Sequence, residues 1–200
     1  MAATMDVYFD FGGTDNTPGT NQDTDALGPP TIRFKTADDA TIDTANPILV
    51  PSTGTRYSYW KQIYLYCADP DGNTIDNVKF YADGAVVFGT GVTLMVGDET
   101  PTKNSDSDDG YEVATGTEGT TGDEMVAAHA GLTGSTSAAS LTSGSPLTVS
   151  ISEDLDDGND VIDTAGQTSD YVILQVNVLS TASAGLTASE TLTFQYDETP

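Results

Sequence analysis

The chain has 200 residues, with 31 Asp and Glu against 6 Lys and Arg, a formal net charge of −25. That balance argues against direct nucleic-acid binding, which needs clustered cations at the phosphates, and against docking on an anionic membrane. A single cysteine, Cys67, leaves no internal disulfide framework and no Cys-rich zinc site, and no apolar run approaches the ~20 residues of a membrane-spanning helix.

The segment Met1–Asp6 lacks the basic and apolar regions of a signal peptide, so assembly in the cytoplasm is expected. All six Lys and Arg residues lie between Arg33 and Lys103; Asn104–Pro200 holds 17 acids and no Lys or Arg. Such a half repels itself unless it is screened or neutralised. A halophilic, high-salt setting and divalent cations at Asp clusters are the two specific explanations, and a merely acidic surface is the third.

In chain order, Asp6–Phe11 alternates Val7, Phe9 and Phe11 against Asp6, Tyr8 and Asp10, the period-two pattern of a strand. Residues 12–30 read as a polar loop. Thr31–Thr36 reads as a strand with Ile32 and Phe34 inward and Arg33 and Lys35 outward, and Ile48–Val50 as a short strand. Tyr57–Cys67 is apolar or aromatic on both faces, so it is a central or covered strand. Asp69-Pro-Asp-Gly-Asn73 is a turn signal, making Asn77–Tyr81 the return strand of a hairpin.

Val86–Phe88 and Val92–Val96 are two further short strands. Residues 98–145 are rich in Gly, Ser, Thr and Asp; within them 121–131 is the one helix candidate, about two turns long, capped by Thr121 or Asp123 and ended by Gly131. Leu147, Val149 and Ile151 alternate as a strand. Residues 171–179 and 190–196 read as two long antiparallel strands.

Few residues carry catalytic chemistry. His129 is the only histidine, flanked by Ala128 and Ala130, and it reads as structural. Cys67 lacks the basic surroundings of a reactive thiolate. Gly89-Thr90-Gly91 leads into a strand rather than a helix N-terminus, so it is a turn and not a phosphate cradle. No catalytic or cofactor-binding residue is assigned, and the chain is expected not to be an enzyme.

Three Asp clusters are calcium candidates: Asp154, Asp156, Asp160 and Asp163; Asp69, Asp71 and Asp76; and Asp106, Asp108 and Asp109. Asp/Asn/Gly loops supply the hard oxygens that calcium takes, but none fits an EF-hand, and Asp-Gly and Asn-Asp are also ordinary turn chemistry. Trp60 with Tyr57, Tyr59, Tyr64 and Tyr66 forms either core or a platform for host-surface glycan.

At least eight strands without crossover helices predict an all-β fold, an antiparallel β-sandwich of Ig-like or jelly-roll type. It is expected to be one domain over 1–200, with one short helix and an elaborated loop at about 98–145. The expected core is Phe9, Phe34, Trp60, Ile63, Leu65, Phe80, Leu94, Val149, Val172, Leu174, Val176, Leu192 and Phe194.

Two stretches carry a resemblance. Residues 171–196, from Tyr-Val-Ile-Leu-Gln-Val-Asn-Val to Leu-Thr-Phe-Gln-Tyr, resemble the closing hairpin of Ig-like sandwiches in virus and cell-surface proteins. Residues 58–95, with Ser58-Tyr-Trp-Lys61, Phe80-Tyr-Ala-Asp-Gly84 and Gly89-Thr-Gly-Val92, resemble head or tail structural proteins of tailed bacterial and archaeal viruses. The acidic composition is similar to that of haloarchaeal viruses.

The resemblance implies a non-enzymatic virion protein, a capsid decoration or turret subunit, whose partners are copies of itself and other virion proteins. A tail-tube or tail-tip subunit and an extracellular carbohydrate-binding module are the alternatives. Thermal melts test the charge reading: salt is expected to raise the Tm by screening. A further rise with calcium at matched ionic strength would mark the Asp clusters as cation sites.

Overall fold

The computed structural model describes residues 1–27, 32–83, 88–104, 107–114, 123–152, 160–185 and 187–200. Its strands are β1 (Thr4–Thr14), β2 (Thr17–Asp23), β3 (Thr55–Tyr57), β4 (Lys61–Asp69), β5 (Thr74–Ala82), β6 (Val92–Gly97), β7 (Ser135–Ser137), β8 (Leu147–Thr148), β9 (Val172–Leu179) and β10 (Leu192–Thr199). A large sheet runs β2-β1-β4-β9-β6-β7, with β3 also paired to β9; a small sheet runs β10-β5-β8. Every strand pairing is antiparallel. The fold is an antiparallel all-β sandwich.

β4 and β9 set the architecture because both of their faces are largely covered. The inward row Ile63, Leu65, Cys67, Val172, Leu174, Val176 and Val178 packs against Ile75, Val78, Phe80 and Ala82 of β5. On the opposite face, Trp60, Tyr64, Tyr171 and Ile173 pack against Tyr111, Ala114 and Met125 from the segment after β6. Within the elaborated loop expected at about 98–145, Tyr111, Ala114, Met125 and Leu132 thus supply a third layer over the large sheet, while Ser135–Ser137 is a strand of that sheet and Ala138 lies in the inner core.

Several sequence expectations are corrected. β5 does not return beside β4, and β10 does not return beside β9. The edges of β4 are taken by β1 and β9, and those of β9 by β4 with β3 and by β6. The next strand in each case must therefore cross to the other sheet. The Asp-Gly turn is real, with Asp71 at φ 52° and Gly72 at φ 81°, but it makes an arch between layers. In β5 the inward row shifts phase at Asn77, which sits at φ 49° as an extra residue opposite the Gln195–Asp197 step of β10.

The aromatic strand is interrupted at residues 58–60. There Ser58 accepts Val176 N–H through its hydroxyl at 3.0 Å, in place of a backbone carbonyl. β2 arises inside the expected loop 12–30. It is a Gly/Pro segment whose close approach needs Gly13: at φ +77° a Cβ there would lie 2.2 Å from Thr17 O.

Of the strand expected at Thr31–Thr36, Thr31 lies outside the described residues and residues 32–36 form no strand, nor do residues 48–50. Lys35, expected outward, is buried, and Phe34 is half-buried. Of the 86–88 strand, residues 86 and 87 lie outside the described residues, and Phe88 is not in a strand. The strand expected through Leu147, Val149 and Ile151 is only two residues long, although Val149 and Ile151 are buried.

The helix α1 is a single turn, Met125–Ala128. Glu124 stands at its N-cap without a side-chain bond. Thr121 lies outside the described residues, and the carbonyl of Asp123 accepts Gln175 Nε2 instead. Of the expected core, Phe34, Leu192 and Phe194 are half-buried at its margin and the rest are buried. Trp60 is 1 % exposed, so its fluorescence in the native protein is expected to be blue-shifted and unquenched by acrylamide; a red-shifted, quenchable spectrum would contradict the third layer.

Candidate functional site

On the outer face of the large sheet, Gln62, Gln175 and Asp10 hold the third layer. Gln62 of β4 donates to Glu112 O at 2.6 Å and accepts from Glu112 N at 3.1 Å. His129 lies with Nε2 3.0 Å from Gln62 Oε1 and Nδ1 2.7 Å from Ala130 O. Gln175 of β9 accepts from Met125 N at 2.9 Å and donates to Ser58 O and Asp123 O. Buried amides satisfied on every side fix the covering segment in one register.

Asp10 of β1 is the third such residue, 3 % exposed. Its carboxyl accepts the hydroxyls of Tyr64 at 3.0 Å and Tyr171 at 2.5 Å. Lys103 Nζ lies 3.8 Å from Asp10 Oδ2 and 2.6 Å from Asp108 Oδ1. Burial pushes the Asp10 carboxyl above the usual carboxylate range, against the lowering effect of its phenol and ammonium neighbours. Burial and the adjacent Asp10 push both tyrosine hydroxyls far above their ordinary value, so they act as donors.

A second set of buried cations secures residues 32–46. Lys35 is 2 % exposed and pairs with Asp39 at 2.7 Å and Asp43 at 3.3 Å. Lys61, equally buried, donates to Asp39 O at 2.9 Å and sits over the Phe9 ring. Asp38 accepts Gly12 N–H at 2.7 Å.

The accessible concavity lies on the other side of the large sheet. Neighbouring strands are ~4.8 Å apart, so three strands cannot span a face six strands wide. Residues 32–50, 183–185 and 187–191 close only part of the difference. What remains is a cleft of about 1080 Å³ beside the inner core, bordered at its mouth by the exposed Leu49, Val50, Thr187 and Ala188, with Leu94, Leu174, Val176, Val178 and Phe80 buried behind it. Its rim carries Asp25, Arg33, Asp43 and Glu190, with the buried Lys35 behind them. Its apolar part suits an apolar guest, and its lining also carries the hydroxyls of Ser183, Thr187, Ser189 and Thr191.

The sequence-predicted site residues fall elsewhere. Asp69 Oδ1 accepts Asp71 N–H at 2.9 Å as turn chemistry, and Asp71 pairs with the Met1 ammonium at 2.6 Å. Asp76 lies opposite Asp197 across β5 and β10. Asp160 and Asp163 are exposed, with Asp163 accepting the Thr164 hydroxyl at 3.0 Å. Asp154, Asp156 and Asp106 lie outside the described residues.

Among the described residues, no group of three or more His, Cys, Asp or Glu side chains is placed to hold a metal. The glycan platform is not presented to solvent: Trp60 and Tyr64 are buried, and Tyr57, Tyr59 and Tyr66 are half-buried. Cys67 is a buried free thiol, pushed up by burial. The buried functions of Asp10, Lys35 and Lys61 were missed because a charge on a strand reads as solvent-facing. The available signal was their position within the most apolar stretches of a chain poor in cations.

The comparisons add no relative: no protein-family model, no curated protein and no solved structure matches the chain.

One titration follows from the geometry. Burial, outweighing the Gly12 N–H and Lys61, raises Asp38 above its unfolded value. The folded state then binds the proton more tightly, so the stability associated with Asp38 is present at low pH and lost as pH rises through the raised pKa. Relative to Asp38→Asn, the native chain is expected to gain stability in urea melts between pH 7 and pH 4. A difference constant with pH would contradict this.

Proposed function

We propose that this chain is a non-enzymatic structural subunit of a tailed-virus particle, placed on the outer surface of the capsid as a decoration or turret protein. The observation that carries this reading is where the polar chemistry lies. Lys35, Lys61 and Lys103 are turned inward as fasteners for loops, which leaves an exterior dominated by carboxylates. A layered, internally fastened sandwich with an acidic outer surface suits a protein that faces solvent and contacts neighbouring proteins, not packaged nucleic acid. Strands β2, β7 and β10 each have one partner strand, so they offer edges to copies of itself or to other virion proteins.

The mass and copy number of the assembled protein, with sedimentation against capsids, test the reading. Trimers or pentamers that bind capsids are expected; hexameric rings would move the chain to the tail.

The cleft beside the inner core favours a second reading, a binding module for an apolar ligand. A stable monomer with no affinity for particles, but which binds N-phenyl-1-naphthylamine with enhanced fluorescence, would replace the structural reading with this one.

A further inference from the structure

The cluster around Lys103 has more order than an ion pair needs. We propose that Lys103 Nζ and the Asp10 carboxyl condense, once the chain has folded, into an amide bond that ties β1 covalently to the segment following β6. This goes beyond the structural reading and does not depend on it.

The geometry is that of the reactants. Lys103 Nζ is 3.8 Å from Asp10 Oδ2 and lies over the rings of Tyr64 and Tyr171, at 4.8 and 5.8 Å from their centroids. Its side chain is 12 % exposed and that of Asp10 is 2 % exposed, so the amine and the carboxyl meet largely out of water. The two oxygens of that carboxyl accept separate phenol donors, Tyr64 on Oδ1 and Tyr171 on Oδ2. These donors aim at the atoms on which negative charge develops when a nucleophile adds to Cγ, the arrangement that stabilises a tetrahedral intermediate. Burial favours the neutral acid of Asp10, the form that can lose hydroxide as water.

Asp108 supplies the base. Its Oδ1 is 2.6 Å from Lys103 Nζ and 3.3 Å from the Tyr171 hydroxyl, so one carboxylate touches both the nucleophile and the group that touches the electrophile. Asp108 takes a proton from the ammonium, and the freed lone pair attacks Asp10 Cγ to form the C–N bond. The tetrahedral intermediate loses its hydroxyl, protonated within the cluster, as water. An ammonium, a carboxylic acid and a carboxylate become an amide, a water and a carboxylic acid, with no oxidant or cofactor. Holding the reactants together replaces a bimolecular encounter with an intramolecular step, worth effective molarities of about 10⁵ M or more when alignment is good.

The other buried lysines lack this arrangement. Lys35 pairs with carboxylates that are 36 % and 51 % exposed, and the hydrogen bond from Lys61 Nζ goes to a backbone carbonyl.

Intact mass spectrometry of the denatured full-length chain tests the proposal. The expected mass is one water below that of the sequence, with a branched peptide joining Asp10 to Lys103 after digestion. Lys103→Met is expected to restore the full mass. Should that variant not fold, Asp108→Asn, which keeps the shape of the side chain, is expected to leave most of the chain unlinked. Full mass in natively folded protein would overturn the proposal. So would a missing water that persists in Lys103→Met or is removed by hydroxylamine, the mark of a succinimide at an Asp-Gly step, or a link mapped to Asp108.

Discussion

The scarcity of cations, and their use inside the molecule, is the constraint on which the rest of the structure depends. Three of six basic side chains lie within the fold: Lys35 and Lys61 hold residues 32–46, and Lys103 holds the segment after β6. A charge removed from water is tolerated only when it is paired and hydrogen-bonded. Here the partners are the acidic loops themselves. The self-repulsion of a −25 chain is thereby turned, at these points, into attachment of its loops to the sheets.

The layering follows from strand composition. β4 and β9, largely apolar on both faces, must be covered twice, once by the small sheet and once by the described residues between β6 and β7. The covering segment has few apolar residues, so polar pegs at Asp10, Gln62 and Gln175 complete the attachment. Because three strands face six, the inner cover is incomplete, and the cleft beside the inner core is the geometric remainder. The tyrosine-lined cluster and the cleft therefore lie on opposite faces of one sheet and have opposite characters, the first closed and polar at its centre, the second open and largely apolar.

Much of this fold is legible from residue order. Period-two alternation locates β1, β9 and β10, a short apolar run locates β6, and the two-faced apolar character of Tyr57–Cys67 points to a central or covered strand. Pairing is less legible. The turn at Asp71-Gly72 has the same chemistry whether the chain folds back beside itself or arches to another layer, and only the occupancy of the edges of β4 decides. Lys35 illustrates the limit for side chains. Its alternation with Ile32 and Phe34 points it outward, and the carboxylates that draw it inward stand four and eight residues later, in a loop with no periodicity. The Asp clusters were visible as spacing alone, and spacing does not distinguish a ligand sphere from an Asx turn.

Hydrogen exchange read by mass spectrometry, comparing Lys35→Met with Lys79→Met, tests the central claim most directly. Lys35 is buried with two carboxylates, whereas Lys79 is half-buried on β5. Removing the Lys35 ammonium is expected to cost about 2–3 kcal/mol and to abolish protection in residues 32–50 while the sheets stay protected. Removing Lys79 is expected to stay within about 0.5 kcal/mol and leave that segment unchanged. Equal protection of residues 32–50 in the two variants would contradict the account that buried lysines hold the acidic loops in place.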